Sequence, residues 1–532
     1  MHRSAPKENS SQITTGIIGG TLSLTVGTLI VKFLGLIYKI PLAAILGDLG
    51  MGYFNSAYTV YAFFYLLCTA GVPKAVMILV SEAKAKGSEV LEGKIIRVAT
   101  TLFLVFGALI TLIFVIFSYP LATLIGNSRS AFTMIAIAPS IIFVSLSGVI
   151  RGYLNAEMKL SDIAISQVIE GVGRLVLGLA FAMLGNRLNM PLEMLSAMTI
   201  LGVTLGAAAG FIYLLICSKI KIKRDNIGQS VKITQNSEII KRILHISIPI
   251  TISAAIMSIT GIIDLGLIIN CLGKIGYSES EATALYGNYT TLAVPMLNLA
   301  ISIITPISVA HMPLLTRSFL NADNSSRRSL ERGALELTAI AAAPMMIGMC
   351  VYSKEILSLL FPNSDVGIGA PLLSLLSPSI LFFSLLMIVN TILEAAGRVS
   401  APMISMLLGS LAKIILSYIL ITHTELGILG APIGSVICYA TALFTSLIIY
   451  GRSIKAHLPI FSTCAPAYLS ALTAVLCSRY LYIKLFLVFD ERVLLLISIV
   501  FCALIYLVLL TFIGILSPKR LKEIAKYTKI PR

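Results

Sequence analysis

Apolar runs of roughly twenty residues, each closed by a short polar or charged connector, recur along the whole chain. A helix needs about that length to cross ~30 Å of hydrocarbon, so each run predicts a membrane span. Fourteen are predicted, near residues 13–45, 53–80, 94–118, 131–152, 162–184, 193–218, 243–269, 284–312, 333–352, 370–394, 402–422, 427–450, 462–482 and 493–516. The expected fold class is an all-α polytopic membrane protein of about 14 transmembrane helices. The longest polar connector, Lys219–Arg242, falls between spans 6 and 7 and is rich in Lys and Arg. It marks off an N-lobe (1–218), a basic linker (219–242), a C-lobe (243–450), and two C-terminal spans with a basic tail (451–532). The first run is too long for a cleaved signal peptide, and no small-residue cleavage site follows it.

The middle of each lobe repeats the other. Pro139–Leu177 slides without a gap onto Pro378–Leu416. Pro139-Ser140-Ile141 falls on Pro378-Ser379-Ile380, Ser145 on Ser384, Ala156 on Ala395, Ile165-Ser166 on Ile404-Ser405, and Arg174 on Lys413. A duplicated helix pair that keeps a cation inside an apolar run points to a two-lobed transporter, because internal repeats with a shared site characterise that class. Two pseudo-symmetric six-helix lobes are therefore expected, with spans 13 and 14 as an appendage outside the repeat.

Composition excludes a water-soluble chain. Of the 532 residues 57% are hydrophobic and only 12% charged. A net charge of +16 would suggest nucleic acid in a soluble protein. Here topology accounts for it. Lys and Arg crowd the N-terminus, every second connector and the tail, while the intervening connectors hold only Arg129, Arg187, Lys274, Lys354, Arg479, Lys484 and Arg492. The positive-inside rule then places both termini in the cytoplasm. The eight cysteines are scattered singly, with no CxxC spacing and no His cluster, so no disulfide framework and no metal site is indicated. No GxxxxGK[ST] loop is present, which leaves an ion gradient, the membrane potential or the substrate gradient as the driving force.

Charges inside apolar runs are costly and mark candidate sites. Lys32, Lys39, Lys74, Arg174 and Lys413 are the cations so placed. Arg174 and Lys413 each lie about twelve residues into their spans, ~18 Å of helix and close to the midplane. Lys39 and Lys74, near a break or a span end, could equally snorkel to an interface. Glu170, four residues before Arg174, could bridge it on one helix face, whereas Lys413 has no such neighbour in its own helix. Excess fixed positive charge suits an anionic group such as phosphate or pyrophosphate. Asp264 lies well inside span 7; Asn390 and Glu394 share a face of span 10, with Ser410 in span 11. These oxygens are candidates to bind Na⁺ or relay H⁺, and Glu394 has the alternative of pairing with Arg398.

Several segments carry a family resemblance. Lys32-Phe33-Leu34-Gly35, Tyr38-Lys39-Ile40-Pro41-Leu42, Gly47-Asp48-Leu49-Gly50-Met51-Gly52, Ala70-Gly71-Val72-Pro73-Lys74-Ala75, Ile150-Arg151-Gly152-Tyr153 and Ser166-Gln167-Val168-Ile169-Glu170 resemble stage V sporulation protein B-type proteins. The resemblance covers nearly the whole chain and implies the multidrug/oligosaccharidyl-lipid/polysaccharide exporter superfamily, in the branch of the MurJ-like lipid II flippases. It implies fourteen helices in two lobes about a cationic central cavity, with a lipid-tail groove on the last two. Where Gram-negative members carry arginines in helices 1, 2 and 8, this chain has Lys32 and Lys39, apolar Leu66-Leu67, and Tyr289. The implied function is flipping of an undecaprenyl-pyrophosphate-linked glycan across the bacterial cytoplasmic membrane. Its expected partners are that glycan, membrane lipids and cell-wall synthesis enzymes, with no nucleic acid. The chain is expected to act as a monomer, without a cofactor beyond Na⁺ or H⁺. A cation-coupled drug exporter of the same superfamily and a membrane glycosyltransferase or polymerase are the alternatives. The first would favour acidic cavity residues, and the second would need catalytic carboxylates on a substantial loop.

Overall fold

A computed structural model describes residues 10–218, 235–485 and 490–514, with side chains except at 10–26, 252–254, 256 and 257. Residues 219–234 of the basic linker and the tail beyond 514 lie outside the described residues. Among those described, every regular element is a helix. Contacts divide the chain into two units, Met1–Asn270 with Ser278–Gly287, and Cys271–Tyr277 with Asn288–Arg532.

The first unit contains α1 (Ser10–Thr69), α2 (Val72–Ala85), α3 (Glu89–Ile125), α4 (Ala131–Ile137), α5 (Ser140–Ala156), α6 (Leu160–Arg187) and α7 (Leu192–Ser218). It also takes α8 (Asn236–Lys274) as far as Asn270, and α9 (Glu279–Asn288) as far as Gly287. At 60 residues, α1 would be ~90 Å long if straight, about three hydrocarbon thicknesses. Gly47 breaks it with φ 63°, a backbone state that L side chains disfavour. The two halves fold back on each other there. The Tyr38 ring lies 6.1 Å from that of Phe54, and Lys39 Nζ donates to Asn55 Oδ1 at 3.3 Å. A straight helix would hold residues sixteen apart ~24 Å from one another.

Eleven helices among the described residues are long and apolar enough to cross a membrane, or twelve if the bent pair Ser128–Ile137 and Ser140–Ala156 is one span. The expected fourteen is not reached on that count, in which Gly27–Ala85 enters once despite turning back at Gly47.

In its contacts α8 belongs with the first unit, one helix beyond the basic linker where the lobe boundary is expected. Local chemistry explains why. A side chain at Gly71 would overlap the Ser247 carbonyl oxygen, so the backbones touch. Arg242 pairs with Glu82 at 2.7 Å, and Asn270 Nδ2 donates to the carbonyls of Leu124 and Ile125 at 3.1 and 3.2 Å.

The second unit contains α10 (Val294–Leu320), α11 (Asn324–Val351), α12 (Ser353–Leu360), α13 (Val366–Leu376), α14 (Ser379–Ala395), α15 (Ala401–Thr422), α16 (Gly430–Ile454), α17 (Ile460–Leu485) and α18 (Glu491–Phe512). The sequence repeat reappears as geometry: α5 and α14 are both 17 residues long and both begin after a proline N-cap, Pro139 or Pro378.

The last two helices, which lie outside the repeat, pack into the core of the second unit. Ala467, Ala471, Val475, Leu494 and Leu510 share one buried cluster with Leu335 and Ala339 of α11. Tyr506 Oη donates to the Ile340 carbonyl at 3.0 Å, and Ser478 Oγ to that of Ser498 at 2.7 Å. Small residues along α17 let it lie close to α11, the usual means of association where lipid removes the hydrophobic drive between helices.

Candidate functional site

Five deep cations are predicted, and the structure treats them differently. Lys32 and Lys74 are exposed on α1 and α2. Lys39 is partly buried and bonded to Asn55 across the α1 fold-back. Arg174 sits half-way along α6, and Lys413 occupies the matching place on α15 in the second unit.

Arg174 belongs to a charged cluster. Its Nη2 stands 3.7 Å from Glu170 Oε1, one helical turn earlier, and its Nη1 donates to Tyr58 Oη at 3.2 Å. Its guanidinium carbon is 5.7 Å from the centre of the Tyr58 ring, within cation–π range. The other carboxylate oxygen of Glu170 accepts from Arg151 Nη2 at 3.1 Å. Glu170 and Arg151 are 9% and 8% exposed, so neither charge is relieved by bulk water. Two guanidiniums against one carboxylate leave the cluster with an excess positive charge. Among the described residues, Nε of both Arg151 and Arg174 is buried without a hydrogen-bond partner.

Tyr58 belongs to an aromatic file on one face of α1. Phe54 stacks on it at 6.3 Å with the planes 7° apart, Tyr61 follows at 5.8 Å, and Tyr65 lies 5.9 Å beyond Tyr61. The spacing 54, 58, 61, 65 is that of a single helix face, so the file was readable as periodicity in the sequence. Arg151 was harder to find. It stands at the very end of the predicted span 131–152, where a cation reads as snorkelling to the interface, and its fall on Asn390 in the repeat is the further signal that places it inside the span.

The second copy of the repeat is built differently. Asn390 stands where Arg151 does, and Gly409 where Glu170 does. Ser446 Oγ donates to Asn390 Oδ1 at 2.8 Å and lies 2.8 Å from Ser405 Oγ. A side chain at Gly409 would overlap the Cys438 carbonyl oxygen, which brings α16 close to the helix that carries Lys413. The aliphatic stem of Lys413 packs beside Gly434, whose Cβ position is 3.6 Å from Lys413 Cγ.

The oxygen-bearing candidates divide between the units. Asp264, partly buried on α8, lies in the first unit; Asn390, Glu394 and Ser410 lie in the second. Asn390 bonds to Ser446, Ser410 is buried, and Glu394 is exposed at the end of α14. Among the described residues no group of three or more His, Cys, Asp or Glu is placed to hold a metal ion. Two further buried carboxylates of α11, Glu331 and Glu336, were not singled out by sequence; Glu331 lies 3.6 Å from Arg327 Nε and accepts from Tyr450 Oη at 3.1 Å, bracing α11 against α16.

The family described as lipid II flippase MurJ matches residues 42–501. The chain belongs to the MurJ family. Among curated relatives, stage V sporulation protein B of Bacillus subtilis (strain 168) is 25% identical over 462 residues, 86% of this chain and 87% of that protein. The MurJ-family fold is also shared with solved structures. Lipid II flippase MurJ in an inward closed conformation has a TM-score of 0.68 at 17% identity, covering 92% of this chain and 98% of that one. An inward-facing multidrug resistance MATE family transporter of the MOP superfamily has a TM-score of 0.64 at 16% identity, covering 81% and 97%. As a MurJ-family member this multi-span membrane protein is a transporter, not a catalyst.

Proposed function

We propose that the chain flips an undecaprenyl-pyrophosphate-linked peptidoglycan precursor, lipid II or a related lipid-linked glycan, across the cytoplasmic membrane by alternating access. The observation that carries this reading is the Arg151–Glu170–Arg174 cluster inside a MurJ-family chain, with its excess positive charge beside the aromatic file of α1. Arg174 is the proposed contact to the phosphates of the head group, and Lys413, at the matching place in its own unit, is a second candidate for a phosphate contact. Lys32, Lys39 and Lys74 are the further candidate head-group cations, Lys32 and Lys74 being exposed and Lys39 partly buried. A guanidinium held in low dielectric attracts a diphosphate far more strongly than it would in water. The test is complementation: the chain should restore growth to a bacterium depleted of its own lipid II flippase, and failure at normal membrane levels would count against this substrate.

Coupling to Na⁺ or H⁺ belongs to the same proposal, with Asp264 as the first residue to examine and Asn390, Glu394 and Ser410 after it. Asp264→Asn keeps size and polarity but removes the charge. It is expected to leave the protein level unchanged while lowering transport or its response to the ion gradient. Full transport with an unaltered ion response would exclude Asp264 from coupling.

Orientation follows the cation bias, with both termini cytoplasmic. Asn186, Asn363 and Asn324 are all exposed. In a background carrying Cys477→Ser, which removes an exposed thiol, Asn186→Cys and Asn363→Cys should react with an impermeant reagent added outside the cell, and Asn324→Cys should not. The reverse labelling would invert the topology.

A further inference from the structure

We infer that Arg151 is a positioning residue, which engages Glu170 so that Arg174 keeps its charge for an anionic ligand. This rests on the reading of Arg174 as a head-group contact. The carboxylate lies between two guanidiniums but not evenly. Arg151 hydrogen-bonds to it at 3.1 Å, whereas Arg174 stands 3.7 Å away, beyond hydrogen-bond reach, and bonds instead to Tyr58 at 3.2 Å. Glu170 and Arg174 share one helix face four residues apart, an arrangement that favours direct pairing. Without Arg151, the carboxylate would have Arg174 as its only cation among the described residues and would turn it away from Tyr58. Glu170 itself is confined. A Cβ at Gly210 would stand 3.3 Å from its own Cβ, so α7 packs against its stem and limits where the carboxylate can go.

The repeat supplies an independent argument. At the places of Arg151, Glu170 and Arg174 the second copy has Asn390, Gly409 and Lys413. The first copy therefore differs by a mutually neutralising pair, and both copies end with the same net charge at corresponding places. Arg151 and Glu170 make a unit, present in the first copy and replaced as a pair by the uncharged Asn390 and Gly409 in the second.

The test measures binding of undecaprenyl diphosphate to the full chain in lipid nanodiscs, with the dissociation constant taken on the folded fraction and the melting temperature recorded alongside. Arg151→Gln is expected to weaken binding about tenfold, the scale of one charge-assisted hydrogen bond. The double change Arg151→Gln with Glu170→Gln should recover to within about threefold of the native chain, because no carboxylate remains to capture Arg174. In an Arg174→Gln background, Arg151→Gln should change binding no further. Glu170→Gln alone should not weaken binding, so the two single changes act differently; a purely structural brace would weaken both alike. A fall in melting temperature at Arg151→Gln with native affinity, or a double variant as weak as the single, would overturn the positioning role. If Arg174→Gln binds like the native chain, the head-group reading falls and this role with it. If Arg174→Gln binds weakly and Arg151→Gln does not, only the positioning role falls. Should Arg151→Gln fail to accumulate, the double variant is compared with Glu170→Gln. Equal affinities support the proposal, and a further loss in the double refutes it.

Discussion

Arg174→Gln is expected to weaken binding of a polyprenyl diphosphate by roughly ten- to a hundredfold, the equivalent of ~1.5–3 kcal/mol for a charge-assisted hydrogen bond in a site shielded from water. The magnitude follows from the setting. Arg174 is partly buried with its Nη1 fixed on Tyr58, so its guanidinium is held in place before a ligand arrives and little side-chain order is lost on binding. The amide of Gln keeps polarity and costs less to hold in the membrane, so insertion and protein level should be close to native. Lys413→Gln is expected to act in the same direction. Lys413→Arg should retain most function if charge alone is needed, and Lys413→Leu should not. The competing account makes Arg174 a structural bridge to Glu170. Under it, Arg174→Gln lowers the melting temperature rather than the affinity, and Glu170→Gln restores it, since removing one partner of a buried pair harms a protein more than removing both. Native affinity and full complementation in both single variants would remove Arg174 and Lys413 from the transport path.

How far these features could be read beforehand depends on the physics behind each. Spans and repeat were legible because a bilayer imposes one length and one polarity on every crossing helix, and because duplication preserved Pro139 and Pro378 at the same helix starts. The fold-back at Gly47 was legible as the turn between two apolar runs. What sequence could not give was which partner a buried charge chooses. Glu170 offers Arg174 at helical spacing, and that pairing is the one periodicity suggests. The shorter bond goes to Arg151, nineteen residues earlier on another helix, and only the packing of α5 against α6 brings it there. The repeat likewise suggested that the last two helices stand apart, since they lie outside it. Their contribution to the core of the second unit comes from Ala467, Ala471 and Ala474 meeting α11, which hydropathy does not distinguish from a lipid-facing surface. Lys32 and Lys74 show the reverse. Both stand in apolar stretches, yet both are exposed.

Gly202→Val is expected to abolish accumulation of the folded protein, and the reason connects packing to the site. Helix α7 meets α6 along Gly202 and Gly206, opposite Gly178 and Gly173. A Cβ at Gly202 would overlap the Gly178 backbone, which cannot rotate aside as a side chain can. One at Gly206 would stand 2.7 Å from the Glu170 carbonyl oxygen and 2.8 Å from the Arg174 amide nitrogen. Close backbone approach through small residues is the main source of helix association in lipid, so prising this seam apart removes contacts that hydrophobicity does not replace. Overpacking a core typically costs ~1–3 kcal/mol where neighbours can yield, and here the neighbour is backbone. Gly206→Ala is the informative lesser change. It should accumulate at reduced level, and its folded fraction should bind the diphosphate more weakly, because the displaced main chain is the one that carries Glu170 and Arg174. Gly348→Ala is the control: a Cβ there meets nothing within 4 Å, and alanine is the better helix former by about 1 kcal/mol, so its melting temperature should stay level or rise. Measuring accumulation, melting temperature and affinity across the three variants separates the effects. A Gly202→Val protein that accumulates and binds as the native chain does would show that α6 and α7 are not seated this closely, and would undo the geometric account of how Arg174 is held.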